Sequence, residues 1–460
     1  IFNSQSIENA YSTYCLFKNK KYNLNLHCYI PVKIKFLFTL TFSILWAVIS
    51  FYLSLPWLSD LSSVIGFGLA LYLILYIAII PGFMNSFLLC SLLLDKRPIF
   101  KYFNSFPDVT ILVAAYNEAP SIKETLLSLL NQDYSGLINI TVINDGSSDA
   151  TLDEVKKLQL NHPTLKLIDL GSNGGKASAL NVGLKDSSSK LIITVDGDCW
   201  IKTDGVRRLV TRYLSDPDNT KAVAGAILIR NSRENWITKA QEWDYFLGIA
   251  AIKRIQSLFQ GTLVAQGAFS LYERSVLEEV GGWPDSVGED IVLTWKILSA
   301  GYRVGHAENA CAFTRCPNSI QQFVKQRQRW SRGMIEAFKA NPRVLLNPRF
   351  SLIYILWNTQ FPLMDIAYTI GFIPGIVLAC FGKFWIVGPM TLTLIPAAIL
   401  LNRVMFKAGS EMFEHEQLKI RRNRMGFLSY MLVYGLILQP ACVWGYVSEI
   451  FNFKKNWGTK

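Results

Sequence analysis

Two carboxylates separated by one glycine form the most distinctive chemical feature of the sequence. Asp196 and Asp198 flank Gly197 directly after the apolar run Leu191–Val195. Carboxylates at this spacing can each offer one oxygen to Mg²⁺, which favours one or two carboxylates together with substrate phosphates. An ion held there would neutralise charge that builds on a departing diphosphate. The pair therefore predicts a site for Mg²⁺ or Mn²⁺ at Asp198 and Asp196.

Polar side chains also follow two other predicted strands. Ala115, Tyr116 and Glu118 come at or after the end of a run that starts at Val109, and Asp145 follows a run over 138–143. A single Asp in such a place is more often a helix cap, and Asp149 is expected to be one. Acidic groups at three strand ends are harder to explain in this way. They predict one crevice outside the carboxyl ends of the strands.

A glycine pair precedes a lysine further along the chain, at Gly174–Gly175–Lys176. A flexible loop and a cation at the start of a helix suit a phosphate group. The spacing of a nucleotide-triphosphatase loop is absent, and that class is excluded.

Glu289 and Asp290 open a predicted helix that contains Trp295. Acidic residues often cap a helix start, which is the structural alternative. The functional interpretation is that Asp290, with Glu289 beside it, is the catalytic base that takes a proton from an acceptor hydroxyl.

Gln326, Arg329 and Trp330 stand at positions i, i+3 and i+4, so they share one face of a predicted helix. Ser319 followed by Gln322 resembles a capping box at the start of that helix. Arg329 can hold a diphosphate with its planar fork, and the Trp330 ring can stack on a sugar. A basic amphipathic helix on a membrane surface is the alternative, and both interpretations can hold together.

The elements around these residues predict an α/β domain between membrane helices. Strand-like and helix-like runs alternate over the middle of the chain, which indicates a mostly parallel sheet with helices on both faces. Long apolar runs lie on either side. The two before the domain, Phe36–Ser59 and Leu61–Leu94, carry no charge, and each exceeds the ~20 residues of a membrane crossing. After the domain come Ser351–Gly382, which Asp365 interrupts, then Phe384–Asn402 and Met425–Ser448.

Charge predicts which side of the membrane each part occupies. The net charge is +12, and the excess lies beside the apolar runs, as the positive-inside rule expects of cytoplasmic segments. Nucleic-acid binding is therefore not expected. Five crossings would place the C-terminus outside, whereas Lys454, Lys455 and Lys460 favour the inside. One apolar segment lying in the interface instead of crossing would remove this conflict.

These observations divide the chain into six parts. About 35 mostly polar residues precede the first apolar run, which does not match a secretory signal. The eight cysteines have no zinc-type spacing and support no disulfide framework. The expected parts are a cytoplasmic segment 1–35, two transmembrane helices 36–94, a cytoplasmic catalytic domain 95–317, amphipathic interface helices 318–350, C-terminal transmembrane helices 351–453 that form a channel, and a tail 454–460.

Together, and in this order, the motifs resemble the processive family 2 inverting glycosyltransferases. The resemblance rests on Asn144–Asp145–Gly146, Asp196-x-Asp198, Glu289–Asp290 and Gln326-x-x-Arg329–Trp330, and it covers Val109 to about Glu336. The group includes the synthases of poly-β-1,6-N-acetylglucosamine, hyaluronan, chitin and cellulose. The sequences Gly225–Arg230 and Thr294–Trp295–Lys296 are most similar to those of the poly-N-acetylglucosamine group.

The resemblance implies a GT-A-like fold and a role for each motif. Ala115, Tyr116, Glu118 and Asp145 would hold the uridine side of a UDP-sugar. Lys176, Asp196, Gln326 and Arg329 would lie near its diphosphate and sugar, and Asp198 would bind the metal. Gly267 and Trp330 would border the acceptor, which is the growing polysaccharide. The catalytic domain would face the cytoplasm of a multi-pass protein in the inner or plasma membrane, and a small membrane subunit accompanies some relatives.

Several alternatives stay open. Gly288 stands where the group commonly has threonine, Gln266–Gly267 stands where Ser-Gly is common, and Trp457–Gly458–Thr459–Lys460 resembles the end of a hyaluronan synthase. The sugar can therefore be that of hyaluronan, chitin or a β-glucan. A non-processive transferase acting on a lipid-linked acceptor, and a membrane transporter or receptor with a nucleotide-binding domain, are the other classes. Asp365, Asn358, Gln360 and Gln439 are candidates for a polymer pore or for hydrogen bonds between helices.

Overall fold

The structure is a computed structural model, and it describes residues 30–95, 101, 103–388, 391–415, 417–418 and 422–453. Most of the expected N-terminal segment, residues 1–29, and the tail 454–460 lie outside the described residues.

An eight-stranded mixed sheet organises the middle of the chain. Its strands are β1 Val109–Ala115, β2 Ile138–Asn144, β3 Leu165–Asp169, β4 Leu191–Asp196, β5 Trp200–Ile201, β6 Thr220–Ile229, β7 Phe269–Glu273 and β8 Arg303–Thr314. The spatial order is β3-β2-β1-β4-β7-β6-β8-β5. Neighbours from β3 to β4 are all parallel, and β7 is antiparallel to both β4 and β6. The mostly parallel α/β fold predicted from the sequence is confirmed.

The central strands are apolar along their whole length because both faces of the sheet are covered. Val109, Ile111 and Val113 of β1 are fully buried on one side, and Leu112 is fully buried on the other. Continuous apolar strands of this kind are typical of parallel sheets between helical layers. The layers include α4 Ile122–Leu130, α5 Thr151–Gln159, α6 Lys176–Asp186, α7 Gly205–Ser215, α10 Arg274–Glu279 and α11 Glu289–Ser299.

Two longer helical segments cover the side of the domain that faces the apolar helices. The first is α8 Trp236–Asp244, which continues through the π-helical Tyr245–Ile252 into α9 Lys253–Leu258. The second is α12 Ile320–Ala340, which carries the Gln326–Trp330 motif. Ser319 caps α12, since its hydroxyl accepts from the Gln322 N–H at 3.3 Å. At the start of α5 the N-cap position is Ala150, and the preceding Asp149 accepts from the Thr151 N–H at 3.0 Å.

Four helices among the described residues are long and apolar enough to cross a membrane. They are α1 Val32–Leu53, α3 Phe67–Leu93, α13 Leu352–Cys380 and α15 Arg424–Ile450. The domain ends of the first three meet in one aromatic cluster, in which Phe87 contacts Phe36, Phe259 and Trp357. An ion pair between Asp95 and Arg254 ties the end of α3 to α9.

The structure corrects the limits of two predicted membrane segments. Residues Leu55–Ile65 form a separate short helix, α2, because Gly66 adopts a φ of 84° and interrupts the apolar run. The segment predicted over 384–402 begins as a helix only at Thr391, and this helix, α14 Thr391–His415, extends into the basic linker. The Thr391 hydroxyl accepts from the Gly388 N–H at 3.2 Å just before the helix starts.

Candidate active site

A crevice of about 1050 Å³ opens at the carboxyl ends of β1, β2 and β4. All thirteen residues that the sequence assigned to a site lie in its wall. They are Ala115, Tyr116, Glu118, Asp145, Lys176, Asp196, Asp198, Gly267, Glu289, Asp290, Gln326, Arg329 and Trp330. The parallel strands bring the first groups together, while α11 and α12 supply the opposite wall.

Asp145 directly follows β2, and its carboxylate binds the backbone just before α6. The N–H groups of Gly174 and Gly175 donate to its two carboxylate oxygens at 2.8 and 2.9 Å. Its own N–H donates to the Ala115 carbonyl at 2.9 Å, so β1 and β2 are locked together at the crevice. The sequence assigned this glycine pair to a phosphate, but here a carboxylate occupies those N–H groups. In this structure, therefore, these two N–H groups are not available to a phosphate.

Lys176 is the positive centre of the crevice. Its ammonium lies 2.5 Å from an oxygen of Asp196 and 3.2 Å from an oxygen of Glu289. Burial alone would lower the pKa of Lys176, but the carboxylates of Asp196 and Glu289 outweigh burial and raise it. Burial raises the pKa of Glu289, and Lys176 only partly offsets this effect. The lysine thus stays charged and joins β4, α6 and α11.

The carboxylate pair fits a hard divalent cation. Ligand atoms of Asp196, Asp198 and Cys199 lie within 4.8 Å of one another. The Thr314 hydroxyl donates to Asp198 at 3.3 Å and orients it. Cys199 is fully buried, and burial raises the pKa of its thiol well above the usual value. A buried thiol is a poor ligand for Mg²⁺ or Mn²⁺, so the two aspartates are the groups that would hold the ion.

Asp290 lies at the start of α11 and faces the loop before β7. The Gly267 N–H donates to its Oδ2 at 3.4 Å, and the Ile291 N–H donates to its Oδ1 at 2.7 Å. Next to Gly267, the Gln266 amide donates to the Gly225 carbonyl at 2.7 Å and accepts from Lys253. Both carboxylate oxygens of Asp290 are therefore oriented by backbone groups.

Lys253 is a crevice residue that the sequence did not single out. It is buried, and its ammonium donates to the Val264 carbonyl at 2.8 Å. Burial lowers the pKa of Lys253 to about 7, although the nearby Asp290 raises it in part. Its neighbours in the sequence form no motif, and only the long-range packing of α9 against the β7 loop reveals its position.

Gln326 and Trp330 form the wall of the crevice nearest to the apolar helices. Gln326 is 8% exposed, and its Oε1 has no hydrogen-bond partner among the described residues. Trp330 is 40% exposed, so one side of its ring is open to the crevice. The guanidinium of Arg327 lies 4.1 Å from the ring centre on the buried side. Arg327 also pairs with Asp244 at 2.8 Å.

Two glycines set the distance between Asp290 and the Gln326–Trp330 motif. A methyl group on Gly288 would lie 2.6 Å from the Gly333 Cα, so α11 and α12 touch backbone to backbone there. The Gly288 N–H also donates to Glu336 at 3.0 Å. A β-branched residue does not fit at this contact, which explains why glycine and not threonine precedes Glu289.

The polar groups of the apolar helices make contacts between helices. The Tyr446 hydroxyl donates to Asp365 at 2.7 Å, and the Tyr76 hydroxyl donates to Gln360 at 3.3 Å. Gln439 keeps a buried oxygen without a partner among the described residues. For Asp365 and Gln360 the observed contacts match the alternative of hydrogen bonding between helices.

The fold and the crevice agree with a comparison to protein families. Residues 110–281 match the family "Glycosyl transferase family 2". The chain is also 33% identical over 253 residues to the poly-beta-1,6-N-acetyl-D-glucosamine synthase of Staphylococcus epidermidis, covering 55% of this chain and 60% of that synthase. The synthase of the same name from Staphylococcus aureus strain COL is 32% identical over 268 residues, covering 58% and 64%. The matched region thus spans about three fifths of these relatives.

A solved structure shares the fold over most of the chain. The mannosyltransferase PcManGT from Pyrobaculum calidifontis, solved with GDP-Man and Mn²⁺, has a TM-score of 0.58 and 20% sequence identity. The match covers 84% of this chain and 99% of that one. It shows the GT-A fold and the apolar helices that accompany it.

Proposed function

We propose that this chain is a membrane glycosyltransferase that transfers N-acetylglucosamine from UDP-N-acetylglucosamine to the end of a β-linked polysaccharide. The product would resemble poly-β-1,6-N-acetylglucosamine and would cross the membrane as it grows. The observation that carries the proposal is the convergence of all the motif residues on one crevice. The similarity to poly-β-1,6-N-acetylglucosamine synthases supports the choice of sugar.

The donor would occupy the side of the crevice formed by β1, β2 and β4. Tyr116, Glu118 and Asp145 line this side of the crevice, and they would hold the uridine. Lys176 and Arg329 are the cations that would face the diphosphate. Asp196 and Asp198 would hold Mg²⁺ or Mn²⁺, and this ion would stabilise the negative charge of the leaving diphosphate.

The acceptor would enter beside Trp330, where an exposed aromatic ring can stack on a sugar. The Gln326 oxygen, which has no partner within the part of the chain that the structure describes, can accept a hydroxyl hydrogen bond there. Asp290 would take the proton of the attacking hydroxyl as its oxygen forms a bond to the anomeric carbon. The bond from that carbon to the phosphate oxygen breaks at the same time, and UDP leaves. Attack from the opposite face inverts an α-linked donor to a β-linkage.

The apolar helices suit an inner or plasma membrane, with the crevice on the cytoplasmic side where nucleotide sugars are found. Release of UDP by the purified protein tests the proposal directly. Single donors (UDP-N-acetylglucosamine, UDP-glucose, UDP-glucuronic acid with UDP-N-acetylglucosamine, GDP-mannose) are offered with Mg²⁺ or Mn²⁺, and the product is sized on a gel. We expect polymer from UDP-N-acetylglucosamine alone, sensitive to a β-1,6-specific hexosaminidase, and loss of turnover with chelator.

The other outcomes separate the alternatives. Polymer only with both hyaluronan donors, or only with UDP-glucose, would move the substrate to hyaluronan or β-glucan chemistry. A single sugar added to a lipid would overturn the polymerising function. Asp290→Asn is the matched control, and full turnover by this variant would refute the assigned base. If the chain alone is inactive, the assay is repeated with a small membrane subunit of a related synthase, and inactivity there too refutes the proposal.

A further inference from the structure

A loop formed by residues 263–267 lies between α9 and β7 in the chain and passes beside Asp290. The Gly267 N–H of this loop donates to Asp290 Oδ2 at 3.4 Å. Two positions earlier, the Ala265 N–H donates to the Thr294 hydroxyl at 2.9 Å, and this hydroxyl donates to the Asp290 carbonyl at 2.6 Å. Alternate residues of the 263–267 loop are therefore bonded to α11, the helix that carries Asp290.

The intervening residues of the loop are bonded to Lys253 at the start of α9. The Lys253 ammonium donates to the Val264 carbonyl at 2.8 Å and to the side-chain oxygen of Gln266. The amide nitrogen of Gln266 in turn donates to the Gly225 carbonyl of β6 at 2.7 Å. The loop is thus held from two sides, by α11 at one set of positions and by Lys253 at the other.

The contact with Lys253 depends on glutamine at position 266. Gln266 stands where the group of glycosyltransferases that the chain resembles commonly has serine. The amide of a glutamine lies further from the backbone than the hydroxyl of a serine, and it offers a carbonyl acceptor and an NH₂ donor at the same time. A serine would not bridge Lys253 and Gly225 in the same way. Gln266 and Lys253 therefore form a matched pair in this chain.

Lys253 is a poor choice for stability alone. It is 8% exposed, and the two oxygens to which it donates are neutral. Burial lowers the pKa of Lys253 to about 7, and Asp290 offsets this effect only in part. A lysine whose pKa falls on folding destabilises the folded state at every pH below its ordinary value of 10.5. A destabilising cation in the crevice wall indicates a role in function.

We propose that Lys253 is a positioning residue for Asp290, on which it acts through the 263–267 loop. By bonding to the intervening residues, Lys253 fixes the loop, and the Gly267 N–H then keeps the Asp290 carboxylate in one orientation. This inference rests on the proposed function, in which Asp290 takes the proton of the acceptor hydroxyl. A displacement of about 1 Å at a catalytic group can lower a rate about a hundredfold, so the rate of the reaction should depend on Lys253.

Hydrogen exchange of the full chain in detergent tests the loop without any enzymatic activity. Lys253→Met should speed the exchange of the backbone amides of residues 263–267 about tenfold, because the loop loses its contacts on one side. Lys221→Met is the matched control, since the Lys221 ammonium pairs with Glu273 at 2.8 Å at the far end of β7. This control should leave the exchange of the loop unchanged. Unchanged exchange in Lys253→Met would refute the inference, whether or not the chain is active.

Thermal unfolding of the same two variants separates positioning from a structural role. Lys221→Met removes one member of an ion pair and should lower the Tm. Lys253→Met removes a buried cation that has no carboxylate among its hydrogen-bond acceptors, so it should not lower the Tm. A Tm lowered more by Lys253→Met than by Lys221→Met would make Lys253 a structural residue and contradict the inference.

Steady-state kinetics with the donor that the wild-type chain uses measure the effect on the reaction. Lys253→Met should lower kcat about ten- to a hundredfold and leave the donor KM unchanged, whereas Lys221→Met should keep the wild-type kcat. Gln266→Ser should also lower kcat, and the double variant with Lys253→Met should lose little more than either single variant, because both changes break one contact.

Full kcat in Lys253→Met, or losses that simply multiply in the double variant, would overturn the positioning role. A wild-type chain that turns over no donor counts against the proposed function instead. In that case the exchange experiment still decides whether Lys253 holds the loop beside Asp290.

Discussion

Replacing Lys176 by methionine removes the charge that joins β4, α6 and α11 at the crevice. The stem of the side chain keeps its packing, but the carboxylates of Asp196 and Glu289 lose their shared partner at 2.5 and 3.2 Å. Removing one member of a buried ion pair costs about 3–5 kcal/mol of unfolding free energy. The side chain of Asp196 is 33% exposed, and water screens its share of the charge. We therefore expect a loss of about 3 kcal/mol at neutral pH.

The loss should depend on pH because Glu289 can take up a proton. Burial raises the pKa of Glu289 above its unfolded value, and Lys176 partly offsets the rise. Without Lys176, the pKa of Glu289 should rise further. A carboxyl group with a raised folded pKa contributes stability below its unfolded pKa, which is ~4.3, and loses it as pH rises through the folded pKa. The defect of Lys176→Met should therefore be smallest near pH 5 and grow toward pH 8.

Thermal unfolding in detergent between pH 5 and pH 8 measures this effect, and about 3 kcal/mol corresponds to a Tm lowered by roughly 6 °C for a unit of about 250 residues such as the catalytic domain. Lys166→Met is the matched control, since its pair with Asp186 at 2.5 Å is exposed and should contribute only ~0–1 kcal/mol. A defect of the same size at pH 5 and pH 8 would refute the role of Glu289. A defect no larger than that of the control would refute the buried ion pair.

Three further changes test other contacts of the site. Asp198→Asn should weaken Mn²⁺ binding at least tenfold, measured by electron paramagnetic resonance of the free ion, and unchanged binding would exclude Asp198 as a ligand. Arg327→Met leaves Asp244 without its cation and should raise the KM for the acceptor more than it lowers kcat; an unchanged KM in donor-saturated kinetics would contradict its positioning role. Gly288→Ala should cost about 1–3 kcal/mol by overpacking, whereas Gly68→Ala, which meets open space, should leave the Tm unchanged.

The crevice could be predicted from the sequence because strand topology determines where motif residues meet. Asp145 and Asp196 each stand at or directly after the end of a parallel strand, and such strand ends share one edge of the sheet. The helical spacing of Gln326, Arg329 and Trp330 likewise holds in α12. In these cases a local sequence pattern is sufficient to predict the position of the residues, because the geometry of the strand or helix determines where their side chains lie.

Other features depend on contacts between distant segments and leave no local pattern. Lys253 begins α9 directly after the π-helical Tyr245–Ile252, and its ammonium donates to the Val264 carbonyl in the loop before β7. The N–H groups of Gly174 and Gly175 looked free for a phosphate, but β2 delivers Asp145 to them. The ion pairs of Glu449 with Arg332 and Lys339 join the end of α15 to α12, and no local pattern predicts them.

Arg327 connects α15 to the wall of the crevice that carries Trp330. Its guanidinium donates to Tyr434 of α15 at 2.8 Å, pairs with Asp244 of α8, and lies 4.1 Å from the centre of the Trp330 ring. Tyr434 in turn donates to the same carboxylate of Asp244 at 2.8 Å, so the three groups form a closed ring of contacts. A shift of α15 along α12 would break this ring, and Trp330 would lose the cation that supports its buried face. The position of α15 is therefore coupled to the aromatic surface on which an acceptor sugar would rest.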